Sequence, residues 1–366
     1  MKNRFLIIII LISLVGITGN SQSAKRPFII EPGIHTGMIL PFYEALSYMI
    51  QDDIYAFNMS VSFPTYGKEY WDKLYRYPRP GIGYSYWNLG NNEILGKAHS
   101  LYGFINIPLW KKNEKFSVNY QISAGGAYLT KIFDPFDNHL NRAIGSHYNI
   151  YMRLGVDCKV KLTPQSELVI ETGATHFSNG KTRSPNYGIN AGTISLGLNY
   201  LINSSSVSIQ NEPEVPAFKN RYVQTIIYSA GSKVYDNLLG NRYFVSSVSY
   251  SIEKVLSQKR RLGLGAEFSY DGSIREGLKV DKGKLESDFA DLVRIGLHSS
   301  YSIRYKKFVA GIQVGNYLYS KHKVLTSIYN KLSVQYLITD HIIGSVSIKS
   351  HWAKADCMLW GVGYTW

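Results

Sequence analysis

Between Thr193 and Tyr200 the side chains alternate without a break, with Ile194, Leu196, Leu198 and Tyr200 on one parity and Thr193, Ser195, Gly197 and Asn199 on the other. A period of two is the signature of a β-strand with one apolar face. It recurs at about 30–40, 53–63, 79–87, 97–110, 115–131, 146–162, 166–177 and 191–203. After a Ser-, Asn- and Pro-containing break at 204–219 it returns at 221–233, 243–253, 260–270, 291–306, 308–319, 328–338, 342–352 and 355–366. Helical periodicity is almost absent, so the chain is expected to be all-β.

The two sets of eight resemble each other. "GIGYSY" at 81–86 has a counterpart in "GLGAEFSY" at 263–270, "GGAYLTK" at 125–131 in "VGNYLYSK" at 314–321, and "GATHFSN" at 173–179 in "IKSHWAK" at 348–354. The order is kept, which reads as an internal duplication of an eight-stranded unit. The expected domains are 24–203 and 220–366, joined by the linker 204–219.

The head of the chain sets the compartment. A short basic start followed by the apolar run Phe5–Ile17 and small polar residues reads as a signal peptide over 1–23, cut near Ala24, and the run is too short to span a membrane comfortably. The small-residue region holds no cysteine, which argues against a lipid anchor. Cys158 and Cys357 are the only cysteines, so no disulfide framework holds the fold, and both read as plain small side chains. The formal charge of +14, or +12 once Lys2 and Arg4 leave, fits an anionic surface as a partner, or simply solubility.

One parity of each strand is oily and the other charged or small: Ile150, Met152, Leu154 and Val156 against Arg153, Gly155, Asp157 and Lys159. A soluble sandwich and a membrane barrel share this pattern. Three features favour the barrel: aromatics at strand ends (Tyr84, Tyr86, Trp87, Trp110, Tyr128), short connections alternating with long ones, and an aromatic last strand, "MLWGVGYTW". The expected fold is a transmembrane antiparallel up-and-down β-barrel, either two tandem eight-stranded barrels or one sixteen-stranded barrel. Residues 64–78, "PTYGKEYWDKLYRYP", are long where the scheme wants a short turn, and nothing in the sequence says why.

"HFSN" at 176–179 closes the seventh strand. By parity with Leu168 and Ile170, His176 and Ser178 face lipid, about 7 Å apart at Cα, while Glu171 points inward towards Arg153 or Lys159. Polar groups facing lipid cost free energy and need each other or a job. An imidazole within reach of a hydroxyl is the base a serine nucleophile requires. Taken without context, a His-x-Ser triplet is common and says little.

Residues 176–190, "HFSNGKTRSPNYGIN", resemble the signature of the outer-membrane lipid A 3-O-deacylase family: an H-x-S-N motif followed by a P-N-x-G-I-E segment on an eight-stranded barrel. The resemblance covers the first half of the chain. It implies an outer-membrane esterase that removes a hydroxyacyl chain from position 3 of lipid A, with lipopolysaccharide as substrate and no cofactor. Ser178 would be the nucleophile, His176 the base and then the acid, Asn179 and Gly180 oxyanion donors, and Lys181 and Arg183 contacts to a lipid A phosphate. Two positions depart from the family. Its histidine-orienting glutamate falls on Asn190, which can hold a tautomer but carries no charge, and Lys181 stands where a glycine is expected.

The second half lacks the nucleophile, since His351 lines up with His176 but Ala353 stands where the serine would be. Its own parity sends His351 inward, as a structural residue. The loop "FDPFDNH" at 133–139 could hold calcium, but Asp-Pro and Asp-Asn are above all turn formers. No metal-ligand spacing, phosphate loop or nucleic-acid module is found. A non-catalytic barrel and a sixteen-stranded pore are the competing classes, and the sequence leaves monomer or homodimer open.

Overall fold

The computed structural model describes residues 26–41, 43–113, 115–203, 213–235, 240–322, 326–352 and 354–366. The signal-peptide region, residues 204–212 of the linker and Ala353 lie outside the described residues; 213–219 run without regular structure.

Among the described residues sixteen strands form, each within about three residues of where the alternation puts it. The first eight are β1 (Phe28–Ile39), β2 (Ile54–Ser62), β3 (Arg79–Asn88), β4 (Lys97–Asn113), β5 (Phe116–Leu129), β6 (Tyr148–Lys161), β7 (Ser166–Ser178) and β8 (Ile189–Ile202). The second eight are β9 (Tyr222–Val234), β10 (Arg242–Val255), β11 (Arg260–Asp271), β12 (Val293–Tyr305), β13 (Phe308–Ser320), β14 (Ile328–Leu337), β15 (Ile342–His351) and β16 (Lys354–Thr365). Every neighbour is antiparallel. β1 pairs with β8 and β9 with β16, so each set closes on itself. The sixteen-stranded alternative is therefore wrong: the molecule is two tandem barrels. The repeated sequence segments fall on β3 and β11, β5 and β13, and β7 and β15, equivalent places in the two units.

The lumens are filled by side chains, as eight strands allow. In the first barrel Arg153 meets Glu171 at 2.6 Å and Thr175 and Thr193 through Nη1. Arg79 holds Glu167 bidentately at 2.6 and 2.9 Å, and Asp157 accepts from Asn106 and Asn119. The void left among these groups is about 50 Å³. In the second barrel Lys233 sits between Asp271 and Asp356, and Glu267 between Lys331 and Lys349. Such buried charges persist only when paired and hydrogen-bonded. Closure into two separate eight-stranded barrels removes the reading of a pore made from all sixteen strands.

The outside is apolar. Leu196, Ile194, Leu264 and Val362 stand exposed on it, with Tyr84, Trp360 and Tyr364 among its aromatics. An oily wall around a charged, solid interior is the inverse of a soluble protein and defines a transmembrane barrel. The end carrying the long loops is called the outer end below.

Residues 64–78 have a structural reason. They carry α1 (Tyr70–Leu74), a single turn started by a reciprocal capping box between Glu69 and Asp72. Trp71 and Tyr75 pack against Ile107 of β4 and against Tyr305 of the second barrel, whose ring lies 5.2 Å from that of Tyr75. Tyr75 Oη donates to the Arg304 carbonyl at 2.6 Å, Lys259 Nζ to the Leu74 carbonyl at 2.9 Å, and Lys306 reaches Glu69 at 3.1 Å. The Arg304 guanidinium covers the Trp71 ring at 5.6 Å. The long connection is a clasp holding the inner ends of the two barrels together. Trp71→Ala, which costs about 3 kcal/mol where a Trp is buried, should speed limited proteolysis within 213–221 while each barrel keeps its heat-modifiable gel shift. An unchanged cleavage rate would show that the clasp does not hold the barrels.

Candidate active site

Strand β7 reaches the outer end with its inward residues firmly seated. Thr175 receives Arg153 Nη1 at 2.8 Å, and Phe177 is fully buried in the lumen, 5.7 Å from the Trp87 ring and 5.6 Å from Tyr151. With Thr175 and Phe177 inside, the period of two sends His176 and Ser178 outward. Across from them Ile150 pairs with Ser178 and Met152 with His176 on β6.

On the other side His176 is paired in register with Asn190 of β8. Its Nδ1 lies 2.7 Å from Asn190 Oδ1. An amide oxygen only accepts, so Nδ1 carries the proton and Nε2 keeps a free lone pair, the tautomer a general base needs. The ring rests directly on Gly188, where a Cβ would stand 2.8 Å from His176 Cε1 and where φ is +79°. Glycine is required there twice over, by the left-handed backbone and by the ring.

The loop between β7 and β8 is organised by Asn179. Its backbone N–H donates to Asn186 Oδ1 at 2.9 Å, and its Nδ2 donates to Ser146 Oγ at 2.9 Å and the Arg183 carbonyl at 3.0 Å. Thr182 Oγ1 donates to the Asn179 carbonyl at 3.0 Å. Both kinds of Asn179 donor are thus occupied, by Asn186 and Arg183 of the loop and by Ser146 of the β5–β6 connection, contrary to the expectation that they face an oxyanion. Gly180 and Lys181 follow with φ of +61° and +65°. Lys181 occupies a left-handed position, the physical reason a glycine is expected there.

Lys181 also departs from its expected role. It is only 8% exposed, its carbonyl accepts the Val234 N–H of the second barrel at 3.1 Å, and its charge acts on Asp356 of β16. Its backbone thus joins the loop to the second barrel, and its side chain is largely buried rather than presented at the loop surface. Arg183 remains exposed at the outer end. His351 points into the second barrel as its parity requires, buried with its ring 5.9 Å from Tyr317, next to a register shift at Lys349–Ser350. In the 133–139 loop Asp134 Oδ1 accepts the N–H groups of Phe136 and Asp137, which closes a turn and holds the carboxyl below its usual range. Cys158 and Cys357 are free thiols.

Asn186 and Gly188 were not singled out from the sequence, although both lie in the "PNYGIN" segment. One braces the Asn179 backbone and the other makes room for the imidazole.

These features define a membrane barrel with a tautomer-fixed, half-buried histidine and a buried serine on the outward parity of one strand. Residues 55–199 match the family described as Lipid A 3-O-deacylase (PagL), and residues 222–366 match Acyloxyacyl hydrolase, C-terminal domain. The first barrel thus matches the lipid A 3-O-deacylase family and the second the C-terminal domain of acyloxyacyl hydrolases. Similar solved structures include the crystal structure of the outer membrane enzyme PagL, 16% identical, with 46% of this chain and 97% of that chain covered and a TM-score of 0.31. Another is Neisserial surface protein A (NspA), 11% identical, with 48% and 96% covered and a TM-score of 0.30. No curated protein sequence matches the chain. Family and architecture support a hydrolase of the outer membrane.

Gly188→Ala should displace the imidazole from Asn190. The expected result is loss of the His176 Nδ1–H signal of a hydrogen-bonded imidazole in NMR of the folded barrel, and hydrolysis lowered at least about tenfold, a barrier rise of about 1.4 kcal/mol. An unaltered ring signal would show that the ring tolerates a Cβ there.

Proposed function

We propose that the protein, exported by its N-terminal signal to the outer membrane, is a serine esterase that removes the ester-linked 3-hydroxyacyl chain from position 3 of lipid A. The observation that carries this reading is the 2.7 Å bond from His176 to Asn190, with Ser178 two residues along on the same outward face. A polar pair facing lipid is costly to keep, and this one has the order and tautomer of a base beside a nucleophile.

In the proposed reaction, Ser178 Oγ attacks the ester carbonyl while its proton passes to His176 Nε2. The developing oxyanion is received by the Gly180 N–H, since the donors of Asn179 serve the loop. Collapse of the tetrahedral intermediate breaks the bond to the sugar oxygen, which takes the proton from His176. Water, deprotonated by His176, then attacks the acyl-serine and releases the fatty acid, and the proton returns to Ser178. Asn190 orients the imidazolium in both steps and stabilises it only as a dipole. Arg183, exposed beside the loop, is the remaining candidate for a lipid A phosphate, acting over the ~8 Å screening length of physiological salt.

Ser178→Ala should abolish fatty-acid release from purified lipid A while the barrel stays heat-modifiable, because the hydroxyl is no part of the core; retained turnover would end the proposal. Asn190→Glu should raise kcat about tenfold, because a charge-assisted bond to the imidazolium exceeds a neutral one by about 1.4 kcal/mol. A kcat unchanged by both Asn190→Glu and Asn190→Ala would remove Asn190 from the mechanism.

A further inference from the structure

The outward face of β6 and β7 is open to lipid lower down and closed near the nucleophile. Leu154 is 58% exposed and Ser178 only 4%. Part of what closes it is the second barrel. A Cβ on Gly180 would stand 3.1 Å from Met358 Cβ of β16 and 3.7 Å from Ile150 Cδ1 of β6, so these two apolar side chains flank the residue next but one to Ser178. Met358 shares its parity with the exposed Trp360, Val362 and Tyr364 and therefore lies on the outer wall of its own barrel, turned towards the first. The seam is fixed from both ends. At the outer end the Val234 N–H binds the Lys181 carbonyl at 3.1 Å, and at the inner end α1 holds the β12–β13 turn.

We infer that the second barrel forms one wall of the acyl-chain subsite, with Met358 opposite Ile150 as the side chain that meets the scissile acyl chain nearest the carbonyl. This rests on the esterase reading above. An acyl chain whose carbonyl reaches Ser178 must leave the site along the apolar outward surface, because the inward direction is filled by Phe177 and the ion pairs behind it. At the outer end Ile150 and Met358 both border that surface beside Gly180. A flexible, polarizable methionine suits contact with a flexible chain. The second barrel, lacking a nucleophile of its own at the equivalent place, then has a part in the reaction: it anchors the loop that carries Gly180 and shapes the channel for the chain.

The test uses the full-length protein in detergent and lipid A analogues whose 3-O-acyl chain is 10, 12, 14 or 16 carbons long. Met358→Trp should narrow the seam and lower kcat/KM for all chains at least tenfold through KM, and Met358→Ala should change the ranking among chain lengths at least threefold. Val362→Ala, further down the same strand face, should keep the wild-type ranking. In parallel, Ser178→Ala protein is irradiated with an analogue carrying a diazirine on the carbon chain close to the ester. The expected adduct maps to 354–365. Wild-type kinetics in both Met358 variants, or adducts confined to peptides of the first barrel, would overturn the inference. If wild-type protein releases no fatty acid from any analogue, the esterase reading fails, while the adduct still reports whether the second barrel touches a bound chain.

Discussion

Phe177 decides what its two neighbours do. It is the side chain between His176 and Ser178, and it is locked into the lumen of the first barrel among Trp87 and Tyr151. Because a strand has a period of two, seating that one ring fixes both polar residues on the membrane side. A slip of one residue would put an imidazole and a hydroxyl into the aromatic cluster and a phenyl ring onto the lipid face. The solid interior beneath, from the Arg153–Glu171 pair to the Arg79–Glu167 fork, makes that slip expensive, since each pair would lose its partner. The polar filling of the barrel and the presentation of the site are in this sense a single device.

The strand and its partner then divide the remaining work. Asn190 on β8 sets the proton on the imidazole, Gly188 makes room for the ring, and Asn179 is consumed in shaping the loop. Replacement of a carboxylate by an amide at position 190 keeps the geometry and gives up charge, so the site is oriented without being electrostatically strengthened. The second barrel is clasped at the inner end through α1 and meets the loop after Ser178 at the outer end through Val234 and Met358.

The strands were legible because alternation is a local signal that each strand carries whole, and the duplication because matched segments keep their order. The outward parity of His176 and Ser178, the inward parity of His351 and the inward turn of Glu171 followed from the same counting, which left Arg153 and Lys159 both open as its partner; the structure selects Arg153. Three features were not legible, each because its partner is distant in sequence. The 64–78 connection looked like an anomaly, since Tyr75 finds its acceptor 229 residues away at Arg304. Lys181 looked like a phosphate ligand in a surface loop, but its carbonyl is bound by Val234 of the other barrel and it is largely buried. Small inward residues such as Gly155, Gly173, Ser195 and Gly197 favoured two narrow barrels over one large one, and only the pairing of β1 with β8, distant in sequence, decides it. Gly188 was visible as part of a resemblance, while its reason, an imidazole lying against its Cα, is visible only in three dimensions.

The central claim is that this barrel cleaves the 3-position ester of lipid A in the membrane. The most direct measurement is mass spectrometry of lipid A from cells of one strain with and without expression of the full chain. The expected result is a new lipid A species lighter by one 3-hydroxyacyl group, with the 2-position amide-linked chains retained and the matching free 3-hydroxy fatty acid recovered. Lipid A of unchanged mass in cells whose outer membrane contains the folded protein would contradict it.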